Sequence, residues 1–166
     1  TESDNKKHIE ATLRAVDELG VPAIWFWPNS DAGTNEMAKA IRTFRETGAI
    51  KKNAIRFVTD MLPEDFIALL KHTACLVGNS SSGIKESSYI GTPVVNIGTR
   101  QAGRLRAENV CDVGYDTGTI KKAISFQLDH GCYPPSLVYY KPGTSERILE
   151  ILRKTPLQVQ KKFFEV

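Results

Sequence analysis

Residues 78–106 read GNSSSGIKESSYIGTPVVNIGTRQAGRLR and follow directly on the apolar run Ala74-Cys75-Leu76-Val77. An apolar run that ends in a Gly-Asn-Ser-Ser-Ser-Gly turn, followed by a short segment closed by Gly91, predicts a strand, a hydroxyl-rich turn and a helix. Helix N-termini present unpaired backbone N–H groups and the positive end of the helix dipole, so small residues there let an anion reach the backbone. Ser80, Ser81 and Ser82 add hydroxyl donors at the same spot, and Gly83 keeps it small. A second apolar run, Val94-Val95-Asn96-Ile97, then delivers Arg100 and Arg104 from a loop able to fold back over that anion. The pattern reads as a diphosphate cradle.

Outward from this stretch the chain alternates between helical and extended patterns. Ile9, Leu13, Val16 and Leu19 recur at helical spacing up to Gly20, and Pro22 leads into the unbroken apolar run Ala23-Ile24-Trp25-Phe26-Trp27. That run has the character of a strand covered on both faces. Met37, Ala38, Ile41 and Phe44 mark a second helix ended by Gly48, and residues 54–58 a further strand. Pro63, Glu64 and Asp65 suit a helix start, because the missing proline N–H is not needed there and carboxylates complement the dipole. Downstream, residues 109–113 form the last predicted strand, Ile120 to Leu128 a helix up to Gly131, and residues 145–152 a final helix.

Strands alternating with helices predict a Rossmann-like α/β fold, a parallel sheet with helices on both faces, whose ligands bind at the carboxyl ends of the strands. The loops gathered there are residues 29–33, 59–62, 78–83 and 98–106. Residues 1–155 make one α/β domain carrying the diphosphate cradle, and the tail 156–166, with Leu157, Val159, Phe163 and Phe164, is too apolar to lie in water without a partner.

Composition narrows the partners. A net charge of +3 over 166 residues, with no basic run interleaved with aromatics, excludes a nucleic-acid binder but suits an anionic small molecule. Cys75, Cys111 and Cys132 have no metal-ligand spacing and fit a reducing cytoplasm; no cofactor or metal is expected. No apolar run is long enough to cross a membrane, and the start at Thr1 suits a piece of a longer protein.

Glu86 lies within one turn of the serines, where a carboxylate accepts hydrogen bonds from two vicinal ribose hydroxyls or simply complements a helix dipole. Asn29 reads as a turn former or a ligand contact, Asp31 as a turn residue, and Arg104, Glu108 and Asn109 as loop braces or substrate contacts. His8, His72 and His130 fall on predicted helices away from the strand ends. The chain thus offers an anion site without an evident general acid or base.

The segments 78–86, Gly91 to Gln101 and Glu108-Asn109-Val110, with Phe26 to Gly33 and the 156–163 tail, resemble the carboxyl-terminal half of the hydrolysing UDP-N-acetylglucosamine 2-epimerases. That family includes bacterial sialic-acid pathway enzymes and the epimerase part of the animal bifunctional epimerase/kinase. Non-hydrolysing relatives carry Ser-Gly-Gly and Arg-Pro-Glu where this chain has Ser-Ser-Ser-Gly and Arg100-Gln101-Ala102. The resemblance implies one half of a two-domain, glycosyltransferase-B-like fold with the nucleotide sugar in the cleft.

By that resemblance Ser80 and Ser81 hold the diphosphate, Glu86 the ribose, Asn29 and Arg100 the UDP, and the backbone near Met61 the uracil, with Ser82, Gly83 and Arg104 in support. The catalytic carboxylates, and a histidine that contacts the nucleotide, fall in the absent amino-terminal half, so no catalytic residue is expected in this chain. The implied reaction turns UDP-N-acetylglucosamine and water into N-acetylmannosamine and UDP. The implied partners are UDP-N-acetylglucosamine or UDP, the amino-terminal domain and, for the tail, that domain or a second copy in a homo-oligomer. Animal members also bind a CMP-linked sialic acid around the helix matching residues 35–42; Lys39 and Arg42 keep its basic character but Asn35 does not, so that regulation is not assumed. A UDP-sugar-dependent transferase of the same architecture, and a non-enzymatic nucleotide-sugar sensor, are the competing readings.

Overall fold

The computed structural model describes residues 2–28, 34–47, 55–156 and 160. The element order is α1 (Glu2–Leu19), β1 (Ala23–Phe26), α2 (Thr34–Glu46), β2 (Ile55–Val58), α3 (Pro63–His72), β3 (Leu76–Gly78), a 3₁₀ turn (Ser81–Gly83), α4 (Glu86–Ile90), β4 (Val94–Ile97), β5 (Val110–Val113), α5 (Thr117–His130) and α6 (Thr144–Lys154). Among the described residues all strand pairs are parallel, as the alternation of elements predicts. They form two ladders, β1-β2 and β3-β4-β5, rather than a single sheet. The ladders are joined through side chains: Ile55 of β2 shares one core with Val95 and Ile97 of β4, Ala15 and Val16 of α1, and Ile120, Ala123 and Ile124 of α5.

Side chains alternate across a strand, and that period assigns the two faces. Ala23, Trp25, Phe57, Val77, Val95, Ile97, Cys111 and Val113 all belong to this core and pack beneath α1 and α5. The intervening positions face the other way. There Phe26 meets Phe66 of α3 edge-on at 5.7 Å, and the Cα of Gly83 lies against Val94 and Leu76. Helices therefore cover both faces, and the fold is Rossmann-like. Each fully buried aliphatic in this core contributes about 1.5–3 kcal/mol.

The expectation that β1 is covered on both faces does not hold. Ile24 is 45% exposed, and its register partner Arg56 is exposed beside it, because α3 reaches only the Phe26 end of this short ladder. The apolar side of α6 is also uncovered by the described chain, with Ile148, Leu149, Ile151 and Leu152 all exposed. Residues 157–159 and 161–166 of the apolar tail, and Gly48 and Ala54, lie outside the described residues. Among the described residues no helix is long and apolar enough to cross a membrane.

A buried polar network closes the end of the sheet where the strands begin. Thr92 Oγ1 donates to the Leu70 carbonyl at 2.7 Å, and Asn109 Nδ2 donates to the Thr92 carbonyl at 2.7 Å. Gln127 Nε2 donates to the Val94 and Asn109 carbonyls at 2.9 and 3.1 Å, while Gln127 Oε1 accepts from Tyr133 at 2.8 Å. Gly91 sits at the hub of this region with φ of 84°, and a Cβ there would stand 2.1 Å from the Tyr133 carbonyl oxygen. Gly91→Ala therefore meets both a left-handed backbone and a backbone collision. The expected outcome is destabilisation by about 1–3 kcal/mol or more, read as a lowered midpoint in chemical denaturation; an unchanged midpoint would contradict this packing.

Candidate functional site

The parallel β3-β4 pairing sets the site. Leu76, Val77 and Gly78 lie opposite Val94, Val95 and Asn96, so the chain leaves both strands at the same edge. The serine turn rises from β3 there and the 98–106 loop from β4. β1 and β2 leave their own ladder in the same parallel sense, with Phe26 opposite Val58, so the loops containing Trp27 and Met61 are also neighbours. Asn29 and Asp31 lie outside the described residues.

The serine turn is built differently from the expected helix N-terminus. Ser80 is extended and its hydroxyl accepts from the Ser82 N–H at 3.3 Å, capping a single 3₁₀ turn, Ser81–Gly83. Helix α4 begins only at Glu86 and runs five residues. Gly91 closes it in the left-handed conformation, and within it Ser87 Oγ donates back to the Gly83 carbonyl and Ser88 Oγ to the Lys85 carbonyl. The anion-binding potential therefore rests on the turn itself: the Ser80 and Ser81 N–H groups donate to no acceptor among the described residues, and the Ser80 hydroxyl keeps its own proton to give. Ser80 is exposed, Ser81 and Ser82 are half-buried, and Gly83 is buried against Val94. Glu86 is exposed in the first turn of α4.

The second loop is braced by residues that pattern reading passes over. Gln101 is 3% exposed, and its Nε2 donates to the Asn79 carbonyl at 2.7 Å, joining the residue beside Arg100 to the residue beside Ser80. Arg106 Nε donates to Asp112 Oδ2 at 3.0 Å, Nη1 to the Arg104 carbonyl at 2.7 Å and Nη2 to the Gln101 carbonyl at 3.0 Å. Asp112 in turn accepts from Asn96 Nδ2 at 2.5 Å. The loop is thus clipped to β4 and β5, with Arg100 and Arg104 carried exposed on it. Of the braces considered for this region, Asn109 belongs instead to the network at the opposite end of the sheet.

Two further placements revise the sequence reading. The Met61 N–H donates to Asp60 Oδ1 at 2.8 Å, so the backbone group that Met61 can offer a ligand is its carbonyl. His8 is not remote from the strand ends: its ring stacks on Tyr115, 3.4 Å between centroids, just beyond β5, and a Cβ on Gly98 would stand 2.0 Å from the Tyr115 hydroxyl. Helix α1 runs back along the sheet, so its first half lies over the ligand edge. His130, at the far end of α5, is exposed with its ring stacked 3.9 Å from Tyr133.

Burial pushes the Cys75 thiol up to about 12, and burial and the neighbouring Asp112 raise Cys111. Among the described residues no group of three His, Cys, Asp or Glu is placed to hold a metal. A groove of about 290 Å³ between α1 and α2, lined by Glu10, Arg14, Asp17 and Phe44 among others, lies off the strand-end loops and holds none of the candidate residues.

A parallel α/β domain with its candidate loops at the carboxyl edge of the strands is a Rossmann-like domain of the kind that forms one half of a two-domain, glycosyltransferase-B-like fold. Residues 1–153 match the profile described as UDP-N-acetylglucosamine 2-epimerase, and the chain belongs to that family. It is 29% identical over 160 aligned residues to the UDP-N-acetylglucosamine 2-epimerase of Neisseria meningitidis serogroup B, covering 93% of this chain and 41% of that protein. It is 30% identical over 155 residues to the hydrolysing UDP-N,N'-diacetylbacillosamine 2-epimerase of Legionella pneumophila, covering 93% of this chain and 40% of the relative. The fold is similar to the crystal structure of the Methanocaldococcus jannaschii UDP-GlcNAc 2-epimerase in complex with UDP-GlcNAc and UDP, with a TM-score of 0.64 at 16% identity over 92% of this chain and 42% of that one. The chain therefore spans about two fifths of the length of these relatives.

Only a thiolate alkylates readily, so the three cysteines should separate. Near pH 8 exposed Cys132 is expected to take up iodoacetamide while Cys75 stays unmodified until the protein is denatured. Peptide mass spectrometry reads this, and early labelling of Cys75 would contradict the packing of β3.

Proposed function

We propose that this chain is the nucleotide-binding, carboxyl-terminal half of a hydrolysing UDP-N-acetylglucosamine 2-epimerase that converts UDP-N-acetylglucosamine and water into N-acetylmannosamine and UDP. The observation that carries the proposal is the family match running through the serine turn and the arginine loop, which parallel strand pairing brings to one edge. Chain coverage of about two fifths of the relatives supports a second domain that completes the site. The catalytic acid and base belong to that domain, and the chain alone is inactive. The enzyme acts in the cytoplasm, its product serving sialic-acid synthesis.

In this scheme the hydroxyls and N–H groups of Ser80 and Ser81 take the diphosphate, with Ser82, Gly83 and Arg104 in support. Glu86 accepts from the ribose diol, the Met61 carbonyl accepts from the uracil N–H, and Asn29 and Arg100 hold the rest of the UDP. The chemistry asked of this half is electrostatic. As the sugar C2 proton is removed and the bond from C1 to the phosphate oxygen breaks, negative charge grows on the departing UDP. Donors already aimed at that charge stabilise the transition state more than the bound substrate. Water addition to the resulting glycal completes N-acetylmannosamine. The scheme uses no cofactor.

With the full-length protein, UDP-N-acetylglucosamine and water alone should give N-acetylmannosamine and UDP in equal amounts, by chromatography of the sugar and a coupled UDP assay. UDP release that waits for an acceptor sugar would identify a transferase instead.

Arg100→Ala separates phosphate from base recognition. A charge-assisted hydrogen bond is worth about 1.5–3 kcal/mol, so UDP affinity is expected to fall about 10–100-fold while uridine affinity stays within about two-fold. Calorimetric titration with both ligands checks this, and equal losses would move Arg100 off the diphosphate.

A further inference from the structure

Gln101 stands out as a buried amide in a loop. Its side chain is 3% exposed, its Nε2 reaches the Asn79 carbonyl at 2.7 Å, and its Oε1 has no partner among the described residues. Packing alone does not account for it. An apolar side chain of similar length fills the same space without leaving a buried acceptor unpaired, and an unpaired buried acceptor is costly. What glutamine supplies and methionine does not is the bond to Asn79.

That bond spans 22 positions of sequence and joins the two loops at the points where they carry their ligand groups. Asn79 immediately precedes Ser80, and Gln101 immediately follows Arg100. On its far side the Gln101 backbone is fixed as well, since Arg106 donates to its carbonyl at 3.0 Å while anchored on Asp112 at 3.0 Å. Arg106 and Asp112 are themselves partly exposed, so this ion pair adds little to global stability; it holds the loop in place.

We infer that Gln101 is a positioning residue for diphosphate recognition: its amide sets the gap between the serine turn and Arg100, with Arg106 as the outer brace. The inference rests on the proposed UDP site and adds to it the element that fixes the site's width. A diphosphate bridges both loops and depends on that gap. A nucleoside without phosphates does not.

The test is calorimetric titration of the full-length protein with UDP and with uridine. In Gln101→Met, UDP affinity is expected to fall about ten-fold or more while uridine affinity stays within two-fold and the thermal midpoint within a few degrees. Arg106→Ala, which leaves the buried core untouched, is expected to shift the same ratio in the same direction, and it decides the matter should Gln101→Met fail to fold. Combined with Arg100→Ala, Gln101→Met should add less than its own effect, because residues acting through one another are not additive. Full additivity, equal loss of both ligands, or an unchanged ratio in every folded variant would overturn the assignment. A wild-type protein that binds UDP no better than uridine would instead overturn the diphosphate site, leaving the Gln101 bond a matter of loop structure only.

Discussion

The register of the three-stranded ladder governs the rest of this structure. Gly78, Asn96 and Asp112 form one row across β3, β4 and β5, and because side chains alternate, that row faces away from the Val95–Ile97 core. A slip of one residue would exchange the faces, carrying Val95, Ile97, Cys111 and Val113 out of the core and Asn96 into it. The same row begins the chain of contacts to the 98–106 loop: Asn96 holds Asp112, Asp112 holds Arg106, and Arg106 holds the carbonyls of Gln101 and Arg104. The hydrophobic pattern that fixes the core therefore also fixes where the cationic loop stands.

The basic residues of that loop divide by exposure. Arg106 has its guanidinium committed on all sides to a carboxylate and two backbone carbonyls, and in this setting it acts as a strut. Arg100 and Arg104 are exposed on the span that the strut supports. A planar guanidinium with several fixed donors suits the strut better than a lysine ammonium, which is a mobile point charge. Tyr139 adds a tie from outside, its hydroxyl donating to the Leu105 carbonyl at 3.1 Å. The loop is thus held from the sheet, from the serine turn and from the segment after α5.

Much of this was legible in the chain. Helical spacing located α1, α2 and α5, the Pro63-Glu64-Asp65 start located α3, the five strands fell within segments read as extended, and Gly91 marked the end of α4 in the left-handed conformation that glycine tolerates. The clustering of the serine turn and arginine loop followed from the parallel topology alone. What escaped was long-range pairing of polar groups. Gln101, Gln127 and Asn96 read as ordinary polar residues because nothing local identifies the carbonyl or carboxylate each will meet across the fold. The expected helix start at Ser80 became a 3₁₀ turn because serine hydroxyls bond their own backbone, an alternative that the apolar spacing does not register. His8 was misplaced for another reason: periodicity gives a helix its face but not the end of the sheet at which each residue lies.

These braces bear on the proposed chemistry through timing. A donor that must swing into place as charge develops offsets much of its benefit by the work of reorienting, whereas one held beforehand acts in full at the transition state. The described part of this chain meets that condition with the Arg106–Asp112 ion pair and with amides and carbonyls that do not titrate. The Gln101 amide, the Asn79 carbonyl and the Asn96 amide keep their donor and acceptor roles at any pH the fold survives. In the proposed scheme acid and base work falls to a separate set of residues, which can then be tuned without disturbing the braces behind the diphosphate site.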